Sequence, residues 1–277
     1  MEVPASLPTG AWSGALRGAS GRPGGRPAGA TGLALYAGRV VSWWNRKRAA
    51  QLAAAWLASR NPRGAAQVKR LALDDVTPEL DVYLGQAAYL QLSVYETMGR
   101  AGASAPTLSG RLVTGVLATT ALERHRTIVA EIERSGGDPA ALMAPHREAI
   151  DLFLERTSGA DWYESMLTGY VTAGILNDLF GNLLRSLPTD VRQRLRSVFD
   201  AREEAAVVEE LTAHIENDPR IGSRLAMWGR RLVGDTLLVA RSALASHARE
   251  DQERLEPVWT ELIAAHTRRM DALGLTA

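Results

Sequence analysis

Between Leu80 and Met98 the inward positions recur at three- and four-residue steps: Leu80, Leu84, Ala88, Gln91, Tyr95 and Met98 fall on one side of a helix. Gln91 breaks the apolar series, so the same period predicts a side-chain amide pointing into a core, where it needs a hydrogen-bond partner. Thr77-Pro78-Glu79 reads as N-cap, first-turn proline and first-turn acid, and this helix is predicted to run to about Arg100. Pro106 and Thr107 open a second helix with Val113, Leu117, Ala121, Arg124 or His125, Ile128 and Ile132 inward, closed by Gly136-Gly137-Asp138-Pro139. The short connection predicts an antiparallel pair.

Residues 140–157 read as a broken crossover around Pro145. A third long helix is predicted from about Asp161 to Leu187-Pro188, with Met166, Tyr170, Ala173, Asn177, Phe180 and Leu184 on its core side. Its interior Gly169, Gly174 and Gly181 each cost about 1 kcal/mol relative to alanine, which implies close neighbours. Thr189 is predicted to cap a fourth helix, with Val191, Leu195, Val198, Ala201, Ala205, Val208 and Ile215 inward and Asn217-Asp218-Pro219 at its end. Two pairs joined by a crossover make a ferritin-like topology. Beyond them lie a fifth helix, about Arg220 to His247, and a last one, about Pro257 to Leu273. The expected fold is all-α: a ferritin-like four-helix bundle with extra C-terminal helices and an N-terminal helical extension.

Composition adds a division within the chain. Residues 1–32 are dominated by Gly, Pro, Ala and Ser and read as a disordered arm. Residues 33–70 read as a basic helical extension carrying Trp43, Trp44 and Trp56 beside Arg46-Lys47-Arg48, and residues 71–277 hold the bundle. Residues 1–70 contain eleven Arg or Lys against the single acid Glu2, a balance of +10; the other 21 basic and 30 acidic side chains give the body −9. A basic segment with tryptophans suits nucleic acid or an anionic membrane surface through Arg46, Lys47 and Arg48, or docking on its own acidic body. The chain has no cysteine, which excludes disulfides and thiolate chemistry and points to the cytoplasm. No apolar run is long enough for a transmembrane segment, and the first thirty residues lack the apolar stretch of a signal peptide.

Met143-Ala144-Pro145, Asp161-Trp162, the run Arg224 to Gly234 around Trp228, and Ala265-His266-Thr267-Arg268-Arg269-Met270 carry a resemblance. Over roughly Leu80 to Leu275 the chain resembles an actinobacterial ferritin-like family similar to MiaE, the tRNA-(2-methylthio-isopentenyladenosine) hydroxylase. The resemblance implies a ferritin-like bundle and, in intact members, a di-iron site with oxidative chemistry. Such a site takes one Glu from each of two helices and a Glu-x-x-His pair from each of the other two. No Glu-x-x-His exists in this chain. Carried over residue by residue, the ligand positions fall on Gln91, Ala121, Arg124, Ala173, Ala201 and Glu204, of which only Glu204 retains a good iron ligand.

Neighbouring polar residues do not rebuild the set. Glu123 and His125 point about 200° apart on a helix. Glu210 and His214 are spaced i, i+4 without a second pair, as in a solvent-facing couple. Asp161 suits a cap, and Arg230-Arg231 and Arg268-Arg269 suit a solvent border or bridges to acids. No serine-nucleophile elbow, phosphate-binding glycine loop or His-Glu-x-x-His motif is present. The leading expectation is a degenerate di-iron site without cofactor in a non-enzymatic scaffold or interaction protein, with an unknown protein partner or a second copy. The alternatives are a di-iron tRNA hydroxylase-like oxidoreductase with a non-standard site, for which iron is the cofactor, and a module that binds nucleic acid or a membrane surface through the basic arm.

Overall fold

The chain is described by a computed structural model over residues 76–200, 203–244 and 252–276, all within one compact unit, Ala49–Ala277. The arm of residues 1–32, the extension of residues 33–70 with Arg46, Lys47 and Arg48, and Ala201 lie outside the described residues. The described secondary structure is helical throughout. None of its helices is long and apolar enough to cross a membrane.

The first pair is α1 (Leu80–Ala103) and α2 (Leu108–Arg134). Thr107 caps α2 by accepting from the Gly110 N–H, and Gly136, at φ +83°, ends it in the left-handed conformation open to glycine. Asp138 and Pro139 start α3 (Pro139–Met143), and a 3₁₀ turn (Ala144–His146) around Pro145 leads to α4 (Arg147–Arg156). This is the broken crossover that the prolines predict.

The central segment is α5 (Trp162–Thr168), a π-turn (Gly169–Ala173) and α6 (Gly174–Leu183), ending in a 3₁₀ turn (Leu184–Ser186). Asp161 caps it as expected, accepting from the Glu164 N–H at 3.0 Å. Residues 166–172 are all buried, so the segment is packed from every side. After it come α7 (Thr189–Leu195), α8 (Glu204–Asn217), α9 (Pro219–Ser242) and α10 (Gln252–Ala272). Asp218 and Pro219 form the cap and first position of α9.

Three expectations change. Glu79, not Thr77, occupies the N-cap of α1. Tyr95 is 37% exposed, because Val94 and Met98 take the inward register at that level. The single helix expected from Thr189 to Asn217 is broken between α7 and α8; after the break Val207 and Leu211 face inward, while Ala205 is exposed and Val208 half-buried. The two further C-terminal helices, α9 and α10, pack on the central segment. Trp228 on α9 donates to Thr168 Oγ1 at 2.9 Å, and Gly229 admits Met270 of α10 against the α9 backbone.

Several polar groups inside this packing are paired across helices. Tyr83 Oη donates to the Phe180 carbonyl at 2.9 Å, tying α1 to α6, and the Trp162 indole N–H donates to Thr114 Oγ1 at 2.9 Å, tying α5 to α2. Gly85 sits where the Leu142 carbonyl reaches the α1 backbone, leaving no room for a Cβ. Gly99 and Gly115, by contrast, face open space. Gly85→Ala is therefore expected to destabilise by about 1–3 kcal/mol through overpacking against backbone. Gly99→Ala and Gly115→Ala should each stabilise by up to about 1 kcal/mol through helix propensity. Urea unfolding of the three variants checks the opposite signs.

Candidate functional site

Arg124 projects from α2 into the core and is 7% exposed. Its Nη1 and Nη2 donate to Glu203 Oε1 and Oε2 at 2.6 and 3.1 Å, a two-pronged pair between buried partners. Its Nε donates to the Val198 carbonyl at 2.7 Å and Nη2 to the Asp200 carbonyl at 2.5 Å. These carbonyls belong to the stretch where the expected fourth helix is broken. The guanidinium thus supplies donors to backbone acceptors outside regular helix.

A second guanidinium enters from α10. Arg269, 8% exposed, donates from Nε and Nη2 to Glu204 Oε1 at 2.9 and 2.7 Å and from Nη1 to Asp178 at 2.7 Å. Burial alone lowers its pKa, but hydrogen bonds and charge from Asp178, then Glu204, more than reverse this, so the net shift is upward. Gly174 is the residue that lets it pass, since a Cβ there would occupy the position of the guanidinium.

Arg124, Glu203, Glu204, Asp178, Asn177 and Arg269 all line one cavity, with Ala173 and Tyr170 on its wall. Its free space is about 20 Å³, the room of a single water. The Tyr170 phenol is pushed up to about 12, first by burial and then by the Glu204 charge. Behind Asn177 lies Gln91, 1% exposed, whose Nε2 donates to Asn177 Oδ1 at 2.7 Å. Its own Oε1 has no protein partner.

The structure therefore gathers Arg124, Ala173 and Glu204 around one cavity and sets Gln91 one hydrogen bond away. Ala121 is ordinary core at 1% exposure, and Ala201 is outside the described residues. The partner that Gln91 needs is the Asn177 side chain, because the central segment brings that amide opposite α1. His125 is half-buried, with Nδ1 2.9 Å from the Ala88 carbonyl, and Glu123 is exposed.

Glu210 and His214 are not a solvent-facing couple. Glu210 accepts from Thr107 and Ser109 at the start of α2, and the His214 ring packs edge-on against Trp162 and Tyr163. Sequence reasoning missed Arg269 in the core, although Gly174 was a signal that something approaches the central helix closely.

This donor set does not fit a di-iron centre. Among the described residues no three His, Asp or Glu side chains converge as a metal site. The cavity's three carboxylates are already matched by two guanidiniums, whose N–H groups only donate. A cation entering there would have to compete with both fixed positive charges.

His266, one turn before Arg269, is 2% exposed with an unpartnered Nδ1. Burial, reinforced by the Arg269 charge, lowers its pKa to about 4. With an unfolded value near 6.5, the unfolded chain binds more protons in this window. This contribution to stability is full above about pH 6.5 and is lost as pH falls toward 4, by about 3 kcal/mol. Urea titrations at both pH values should show His266→Gln losing correspondingly less stability on acidification than wild type.

Gln91→Glu places an acid in a buried amide pair and is expected to destabilise by about 1–3 kcal/mol near neutral pH. Its cost should shrink at low pH, where the carboxyl is neutral; thermal melts at two pH values measure it.

Sequence comparison adds one finding. A family model described as "Ferritin-like domain, actinomycetes" matches residues 79–251, more than half of the chain, and ends before α10. No curated protein matches the chain.

Proposed function

Starting from the premise that the chain belongs to this actinomycete family of ferritin-like domains, we propose that it is a bundle whose ancestral metal centre has been replaced by arginine–carboxylate pairs. It acts as a non-enzymatic scaffold or interaction protein. The observation that carries this reading is the placement of Arg124 and Arg269 against Glu203, Glu204 and Asp178 in one buried cavity. Two guanidiniums offset the carboxylate charge that two metal ions would otherwise have offset, and they tie α2 and α10 to the same stretch of chain.

The oxidative activity implied by the likeness to the tRNA hydroxylase requires carboxylate and histidine donors from four helices. Here the mapped donors are an amide, alanines, an arginine and one glutamate. Iron chemistry is therefore no part of the proposed role, and the resemblance contributes architecture. An outward face supports the interaction reading: Leu108, Leu112 and Val116 on α2, spaced i, i+4, i+8, are 72, 65 and 47% exposed, an apolar stripe of the kind that contacts partners.

Elemental analysis of protein purified from iron-replete cells tests the proposal. Substoichiometric iron, unchanged in Glu204→Ala, is expected. About two iron atoms per chain, lost on that substitution, would overturn it.

A further inference from the structure

A second cleft, open to solvent, borders the buried cavity and shares Asn177, Asp178 and Phe199 with it. It measures about 440 Å³, within the range of small-molecule sites. Four arginines line it: Arg185 from the 3₁₀ turn, Arg192 and Arg196 from the end of α7, and Arg268 from α10. Arg192 and Arg196 are spaced i, i+4 and share a helix face. Arg192 is steadied by donating to the Arg185 carbonyl at 3.0 Å and to Thr189 Oγ1 at 3.3 Å.

None of these four guanidiniums is ion-paired among the described residues. That sets them apart from Arg124 and Arg269, whose charges are matched at short distance. Four cations converging on one cleft of an otherwise acidic body repel one another unless an anion sits between them. Guanidinium forks match phosphate oxygens in geometry as well as charge.

The rest of the lining narrows the ligand class. Phe199 is half-buried, its ring stacked on Phe180 at 6.1 Å, and with Gly181 and Ala265 it forms an apolar wall. Asn182 offers an amide. Asp178, which is bound to Arg269, borders the cleft together with Asp200 and Glu261, so the wall is not uniformly basic. A ligand with its charge at one end and a planar apolar group at the other meets both surfaces.

We propose that this cleft binds a small phosphorylated ligand of the nucleoside diphosphate class, its phosphates on Arg192, Arg196 and Arg268 and its ring against Phe199. The site is independent of whether the buried cavity ever held metal. Calorimetric titration of the full chain at low salt with ADP, pyrophosphate and adenosine tests it.

ADP is expected to bind more tightly than pyrophosphate, and adenosine most weakly. Affinity for ADP should fall at least about tenfold in Arg196→Ala/Arg268→Ala, the loss of roughly 1.4 kcal/mol or more. It should be partly retained in Arg196→Lys/Arg268→Lys and unchanged in Arg46→Ala/Lys47→Ala/Arg48→Ala. Should the double alanine variant fold poorly, phenylglyoxal labelling of the wild-type chain gives the same answer: ADP should protect Arg196 and Arg268. Absence of ADP binding, loss of binding only in the arm variant, or protection confined to other arginines would overturn the proposal. So would binding of an RNA oligonucleotide without binding of ADP, which would assign the arginines to a macromolecule.

Discussion

The bundle is organised around a buried guanidinium. Arg124 joins α2 to Glu203 and to the Val198 and Asp200 carbonyls, so one side chain holds together a helix, an acid and a stretch of broken helical backbone. Placing charges in a core is costly, and attraction between them repays that cost only when geometry is close and the remaining donors are satisfied. Here the geometry is close, and two backbone carbonyls take further donors of the guanidinium. Removing either partner leaves the other charged, buried and alone, which makes the pair a constraint on the rest of the fold more than a source of net stability.

Arg269 repeats the arrangement from the opposite side, and its path explains features of the central segment that otherwise look like weaknesses. A π-turn at Gly169–Ala173 followed by Gly174 would be a soft point in an isolated helix. In the fold, Met98 closes over Gly169 and the Arg269 guanidinium fills the space over Gly174. Small residues in the middle helix exchange intrinsic helix stability for access, and α10 uses that access to deliver its charge to Glu204 and Asp178. The last helix is thereby fastened to the same polar centre as α2.

This arrangement separates two kinds of arginine. Those in the core are ion-paired with buried or half-buried carboxylates, and Arg124 also donates to two backbone carbonyls. Those at the neighbouring cleft have no ion pairs among the described residues. The boundary runs through two consecutive residues, Arg268 and Arg269, which differ by about 100° of helical rotation and so lie on different sides of the same helix. Structural and ligand-facing roles can then adjoin without sharing a side chain.

Helical periodicity and local end signals were enough to predict the all-α class, the α1–α2 pair, the crossover around Pro145, the start of α2 at Thr107, the Asp161 cap, and Gln91 as an inward amide, because each depends on residues within a few turns of one another. Periodicity also offered Arg124 or His125 as an inward position of the second helix, and the sequence holds no Glu-x-x-His. Tertiary structure decided the rest. The break between α7 and α8 follows a chain whose local pattern continues the helix, while Arg124, more than seventy residues earlier in the sequence, binds the carbonyls of that stretch. Arg268-Arg269 reads by local pattern as a pair at a solvent border or bridging to acids, and the acids that the second arginine meets, Glu204 and Asp178, lie 65 and 91 residues away. Short-range pattern encodes which face of a helix turns inward; which charge it meets there is set by how distant helices pack, and in a low-dielectric interior that meeting determines whether an arginine can be buried at all.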